Sequence, residues 1–271
     1  MSTLESRDPP REAIDGPVSD DKEFMTTLAK GLAVLASFGE QRPAMTLSQA
    51  AAASNLSRAT ARRVLLTLSE LGYVARNGRD FSLAPRILEL GFAYLSTQSW
   101  IDRAEPLMKE LSHALKESCS AAILQDTEIV YVARMPAPHR IMSTTIAVGT
   151  RLPAFHTSLG RIQLGFLSDA DLAERMGRMA TVTRHTPRTI VDHDALTERI
   201  KADRAQGYSI VDEELEQGLR ALAVPIVTRG GENVGAINLS AHASRASRSD
   251  LRDKFLPRLK AVAQEISRSL A

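Results

Sequence analysis
The spacing of apolar positions changes character near Trp100, from helical periods in front of it to short strand-like runs interleaved with helices behind. Between 24 and 38, Leu28, Leu32, Leu35 and Phe38 recur at helical spacing, and Gly39 stands where a helix commonly stops. Thr46-Leu47-Ser48-Gln49 carries a threonine N-cap with a glutamine three residues on, the capping-box pattern, and opens a short alanine-rich helix. Asn55-Leu56-Ser57 reads as a turn, with Leu56 as its buried plug and Ser57 as the next cap. In the helix that follows, Ala61, Val64, Leu65, Leu68 and Leu71 share one face, and Ala59, Thr60, Arg62 and Arg63 fall on the other. Leu66 lies outward, a mild misfit. Gly72 ends the helix. Residues 73–76, Asn77-Gly78 and 80–83 then read as strand, turn and strand, since Asn-Gly is the strongest short hairpin signal. Three helices and a basic hairpin make a winged helix-turn-helix, a unit whose second motif helix enters the DNA major groove.

Residues 85–98 predict a connecting helix. Beyond it the pattern predicts a helix over 104–117, strands over 120–124, 128–134 and 141–148, and helices over 158–167, 169–178 and 192–206. Strands near 208–213, 219–227 and 233–240 and a last helix over 248–269 complete the chain. That order implies an α+β domain built on an antiparallel sheet. Residues 1–22 are rich in Pro, Asp, Glu and Ser, hold too few large apolar groups for a core, and are expected to be disordered. The expected division is a tail over 1–22, a winged helix-turn-helix domain over 23–85, a linker helix over 86–98 and a larger domain over 99–271.

Charge sharpens this picture. The net charge is only +2 over 271 residues, but it is unevenly spread. Residues 1–21 carry two basic and six acidic groups, whereas residues 22–86 carry nine basic and four acidic. From Gln41 to Ser69 there is no acidic residue at all, while Arg42, Arg58, Arg62 and Arg63 lie within. A one-signed patch on a compact helical unit suits a polyanion, because each phosphate neutralised releases condensed counterions. A solvated helix face is the ordinary alternative for a charge run, and the missing acids and the basic hairpin weigh against it. The DNA-facing candidates are therefore Thr46, Ser48, Ser57, Arg58, Ala59, Thr60, Arg62 and Arg63, with Arg76 and Arg79 from the hairpin; double-stranded DNA is the expected partner.

Cys119 is the single cysteine, so no intramolecular disulfide is possible. The acidic, core-less N-terminal segment does not read as a signal peptide, and no apolar run of about 18 residues exists to span a bilayer. A cytoplasmic protein with no membrane partner is the expectation. Exposed-type apolar residues on two helices (Phe24, Leu28, Leu88, Phe92, Tyr94 and Leu95) exceed what one small domain needs, and predict a homodimer or homotetramer.

In the larger domain, the segment from Gly149 to Arg161 runs from a strand end through a proline-containing loop into a helix opening at Ser158, a start that offers N–H groups to an anion. A plain capped helix is the commoner meaning of such a segment. Asn238 and Ser240 point the same way on one strand, either into a pocket or to solvent, and alternation does not decide which. Arg134, with Met135, Arg140, Ile141 and Met142 nearby, is a candidate cationic end of a pocket. The six histidines never reach metal-ligand spacing with Cys119 or with each other, so no metal is expected. No cofactor is expected either, since Gly230-Gly231 lacks the G-K-[ST] of a phosphate loop. His156, Ser158 and Asp212 are the residues an enzyme would use, but no G-x-S-x-G elbow accompanies them, and an enzyme is not expected.

Taken in order, the words Asn55-Leu56-Ser57-Arg58-Ala59-Thr60-Ala61-Arg62-Arg63, GTRLPAFHTSLGR and DEELEQGLRALAVPI resemble the IclR family of bacterial transcriptional regulators over residues 24–270. Leu71-Gly72-Tyr73-Val74, Leu88-Glu89-Leu90-Gly91 and Ile129-Val130-Tyr131-Val132-Ala133-Arg134 narrow the resemblance to the PcaR/PcaU/PobR-like branch, which governs aromatic-acid catabolism. The resemblance implies a winged helix, a linker helix and a GAF-like effector-binding domain, assembled as dimers or dimers of dimers. It implies a pocket lined by Thr157, Ser158, Leu159 and Gly160, with Val211 or Asp212, Ala221, Asn238 and Ser240. Some relatives that sense small 2-oxo acids have Cys where this chain has Ala221, an acid at Val211 and Ser at Asn238. Those departures imply a roomier pocket and a small aromatic carboxylic acid, 4-hydroxybenzoate or protocatechuate in type. A non-aromatic organic acid, or a constitutive architectural DNA-binding role, is the alternative.

Overall fold
The computed structural model describes residues 22–138, 146–179 and 182–270. It falls into two compact units that divide between Ser96 and Thr97. The expected disordered tail lies outside the described residues except for Lys22, as do Arg140, Ile141 and Met142.

In the first unit, α1 (Thr26–Ala36), α2 (Leu47–Ala53) and α3 (Arg58–Glu70) pack around Val34, Phe38, Met45, Ala50, Leu65 and Phe81. Both cap signals form. Thr46 Oγ1 accepts from the Gln49 N–H while the Gln49 side chain accepts from the Thr46 N–H at 2.8 Å. Ser57 Oγ accepts from the Thr60 N–H at 3.2 Å. Asn55 takes a left-handed backbone (φ 51°) between the two helices, and Leu56 packs against the core as the turn's plug. Helix α3 ends in a Schellman arrangement: Gly72, at φ 79°, donates to Ser69 O, and Tyr73 donates to Leu68 O. Leu71, expected on the buried face, is exposed because it stands at that cap, where the chain leaves the helical register.

The wing is β2 (Val74–Asn77) and β3 (Asp80–Leu83), and its edge is extended by β1 (Ala44–Thr46), a third strand the periodicity did not show. Asn77 pairs with Asp80, so the tight turn is Gly78-Arg79, one residue later than expected. Gly78 sits at φ 60°, the position glycine takes first in a type II′ turn. Helix α4 (Ile87–Leu95) follows with no buried residue.

In the second unit, α5 (Ser99–Leu115) begins five residues before the expected start. Trp100, Ile101, Ala104, Met108 and Leu111 form its buried stripe, and that burial outweighs the cost of Pro106 inside the helix, about 3 kcal/mol. A six-stranded antiparallel sheet follows, in the order β6-β5-β4-β9-β8-β7. Its strands are β4 (Ser118–Gln125), β5 (Glu128–Met135), β6 (Arg151–Pro153), β7 (Ser209–Asp212), β8 (Leu219–Val227) and β9 (Asn233–His242). The strand expected over 141–148 falls mostly outside the described residues, and its described end, 146–148, is loop. The edge strand β6 takes its place, inside the segment read as a loop. The remaining helices are α6 (Ser158–Leu164), α7 (Asp169–Arg178), α8 (His193–Gln206) and α9 (248–268, with a π-helical stretch at Leu251–Phe255).

Helices cover both faces of the sheet. Leu159 and Ile162 of α6 join Ala122, Ala223 and Ala236 of the strands in one core, together with Leu196 and Ile200 of α8. The opposite strand positions, Cys119, Ala121, Leu222, Val224, Ile237 and Leu239, are equally buried on the side where α5 and α9 pack. This is the α+β class with a winged helix-turn-helix in front of it.

Candidate functional site
On the first unit, Ser48, Ser57, Arg58, Ala59, Arg62 and Arg63 are exposed, and Thr46 and Thr60 are half-buried. Arg58 and Arg62 are four residues apart, and Ala59 lies four before Arg63, so these side chains share the outer face of α3. Thr46, Ser57 and Thr60 spend their hydroxyls on the caps: Thr46 on Gln49, and Ser57 and Thr60 on each other at 3.0 Å. They orient the helices and leave the outward chemistry to Ser48 and the arginines. The two wing arginines differ. Arg76 folds back, its Nε donating to Gly78 O at 3.2 Å and its guanidinium lying 5.9 Å from the Phe81 ring centroid, while Arg79 stands exposed in the turn. Sequence reasoning missed Arg86, which donates to the Leu71 carbonyl at 2.8 Å and lies over the Tyr73 ring, closing the end of α3.

On the second unit, strand register settles what alternation left open. Directly paired residues present their side chains on one face. One row runs Arg134–Ser120–Asn238–Ala223–Ser209 across β5, β4, β9, β8 and β7. The next runs Ser118–Ser240–Ala221–Val211. Both rows share the face of Ala122, Ala223 and Ala236, beneath α6. Arg134, Val211, Ala221, Asn238 and Ser240 are therefore brought together, and Ser118 and Ser120 join them. The sequence holds no local signal for those two serines, because their membership depends on partners more than a hundred residues away.

Asp212 is not part of this face. It pairs with Arg220 across the strands on the opposite side, forms an ion pair with it, and meets Arg188 at 2.7 Å. Of Val211 and Asp212, only Val211 lies on this face. A surface groove of about 240 Å³ touches Ile210, Asp212, Glu214 and Arg199, also away from Val211, and those three charged groups are engaged in ion pairs.

Asn238 Oδ1 accepts from the Ser120 N–H at 3.2 Å, and its amide nitrogen donates to Ser240 Oγ at 3.3 Å. Arg134 is half-buried, and desolvation lowers its pKa while nearby Tyr131 opposes this. Over the face, Thr157 is the true N-cap of α6: its hydroxyl accepts from the Gly160 N–H at 3.1 Å. That N–H is thus already satisfied, and α6 has only seven residues, so the helix start is a weaker anion site than the sequence implied. Among the described residues, Ser158 Oγ is buried without a partner, as is His156 Nδ1. Burial first, then Arg161 and His185, lower the His156 pKa to about 4, so the ring is neutral near pH 7; the two imidazoles meet edge-on at 5.6 Å. A Cβ on Gly160 would come within 2.1 Å of the Ala154 carbonyl oxygen, so only glycine allows the helix to sit this close to the preceding turn. Leu159 is wholly buried in the core. Among the described residues, no group of His, Cys, Asp and Glu is arranged to hold a metal, and no helix is long and apolar enough to cross a membrane.

An arginine-studded helix-turn-helix joined to a separate sheet domain with a half-polar buried face is the build of a ligand-responsive DNA-binding regulator. Profiles of the IclR helix-turn-helix domain and of the bacterial transcriptional regulator IclR C-terminal domain match residues 27–78 and 92–268. The chain belongs to the IclR family of bacterial transcriptional regulators. It is 42% identical over 250 residues to the Pca regulon regulatory protein of Pseudomonas putida, covering 92% of this chain and 86% of that one. A crystal structure of a Rhodococcus sp. RHA1 protein assigned as a transcriptional regulator superposes with a TM-score of 0.80 at 46% identity, covering 91% of this chain and 98% of that one. A double mutant of the PobR inducer-binding domain from Acinetobacter, in complex with 3-hydroxybenzoic acid, matches 61% of this chain and 96% of its own at 30% identity and a TM-score of 0.57.

Proposed function
We propose that this protein binds a DNA operator through α3 and the wing, and that a small aromatic carboxylic acid of the 4-hydroxybenzoate or protocatechuate type controls that activity from the sheet face beneath α6. The observation that carries the reading is the gradient along the two paired rows. Arg134, Ser120 and Asn238 make one end cationic and polar, while Ala221, Ala223 and Val211 make the other small and apolar apart from Ser209, whose hydroxyl is spent on Asp203. A monoanionic ring with a polar substituent needs those two environments side by side. Arg134 suits the carboxylate, and the partnerless Ser158 hydroxyl and the Asn238–Ser240 pair suit a ring hydroxyl. The Pca regulon relative and the hydroxybenzoate-bound domain support the same chemistry. The domain limits are read as 23–85 for DNA binding, 86–98 as linker and 99–271 for effector binding.

The site reads as a receptor without turnover, since Asp212, one of the three groups an enzyme would need, is tied to Arg220 and Arg188 on the far face. The cytoplasm is the compartment such a regulator works in. Self-association into a homodimer or homotetramer fits Met25, Leu28, Leu32, Leu88 and Phe92, all exposed on or beside α1 and α4. Calorimetry with both acids, alongside operator binding followed by fluorescence anisotropy, tests the reading. Wild type is expected to bind at least one acid and to change its operator affinity when it does. Ala221→Leu is expected to lose the response by filling the apolar end. Equal binding of both acids by wild type and Ala221→Leu places the pocket elsewhere.

A further inference from the structure
Arg161 has a side chain with no exposed surface, and every branch of it is committed. Its Nε donates to Phe155 O at 2.7 Å, folding the turn before α6 back on the helix. Its two terminal nitrogens grip both carboxylate oxygens of Glu214, one at 2.8 Å. Glu214 is the second residue of the connection from β7 to β8, two residues beyond Asp212 and three beyond Val211. That connection is tied down in turn, because Thr186 and Thr189 donate their hydroxyls to the carbonyls of Glu213 and Glu214 at 2.6 and 2.7 Å. At its other end, α6 is held to β4 by Gln163, which accepts from the Leu124 N–H at 2.9 Å.

Stability alone is a poor account of this pair. Burying two charges costs desolvation that their attraction only roughly repays, and apolar replacements of similar volume are often as stable. A bidentate guanidinium–carboxylate contact does supply direction, since its planar fork accepts one geometry. We propose that Arg161 and Glu214 are positioning residues of the effector site. Their contact fixes where Thr157–Gly160 sits relative to Val211 and Ala221, so affinity for the aromatic acid depends on it. This inference rests on the effector reading above.

The test compares wild type, the double variant Arg161→Met with Glu214→Leu, and Glu214→Gln. Binding of 4-hydroxybenzoate and protocatechuate is measured by calorimetry, and folding by the emission of Trp100, the chain's single tryptophan, which is buried in the same unit. The double variant keeps an apolar, filled core and is expected to melt near wild type, yet to bind acid about tenfold or more weakly, because preorganisation is lost. Glu214→Gln, titrated at a temperature where Trp100 reports a folded domain, is expected to weaken binding in the same direction. The inference is overturned if the double variant binds within about twofold of wild type, or, should it not fold, if Glu214→Gln does. A wild type that binds neither acid instead removes the effector reading and this inference with it; the wild-type titration separates the two failures.

Discussion

Arginine does opposite work in the two units. On α3, Arg58, Arg62 and Arg63 are exposed, and no carboxylate of the described residues engages them, within a stretch of 29 residues that contains no acid. In the sheet unit, Arg161, Arg220, Arg188, Arg199 and Arg245 each meet an aspartate or glutamate, several of them substantially buried. A free guanidinium is a charge offered to something absent from the chain. A paired one has already been spent on the fold. The difference teaches that the residue type, which makes up most of this protein's basic groups, says little until its nearest acid is known.

The sharpest way to test that contrast is to remove an acid from the second unit. Glu214→Ala strands the buried Arg161 and is expected to cost about 3–5 kcal/mol, read as an early thermal transition in Trp100 emission. An unshifted transition would mean the pair is no more consequential than a surface contact. Acid titration gives the next largest effect. His156 resists protonation until about pH 4 in the fold but takes a proton near 6.5 when unfolded. Stability present above that upper value is therefore lost as the pH falls between the two, by up to ~3 kcal/mol, and His156→Gln should flatten this part of the profile.

On the other side of the comparison, Arg62→Ala or Arg63→Ala should leave the melting curve in place while weakening operator binding by ~1–3 kcal/mol if the side chain reads a guanine. Loss that is equal on all sequences, with a shallower salt dependence, would assign the side chain to phosphate. Unchanged operator affinity in both variants would end the claim that these charges face DNA. Smallest of all, Thr46→Ala removes a cap rather than a contact and should lower the stability of the first unit by about 1 kcal/mol in chemical denaturation followed by circular dichroism.

The helix-turn-helix was legible because its signals are local. Thr46 with Gln49, Ser57 with Thr60, and the apolar face of α3 all lie within one or two turns. The limits of β8 and the parity of Asn238 and Ser240 were legible for the same reason. What failed was long-range. The third wing strand β1 exists only because Met45 pairs with Phe81. The start of α5 was missed because Trp100 finds its place against Gly235, far along the chain. Which face of β9 is covered by α6, and that Val211 rather than Asp212 shares that face, follow from register, which one strand does not contain. Arg161 was read only as part of a loop-to-helix word, because the acid that buries it lies 53 residues on.

Helix α4 has nine residues, and none of them is buried. A helix that short is marginal in water on its own, since nucleation must be repaid by packing or length. Leu88, Leu90 and Phe92 are the exposed apolar surface that would repay it. Under the self-association proposed above, folding of this helix and association of two chains would be a single equilibrium. The order of the helix would then be a property of protein concentration, so that dilution alone would loosen it.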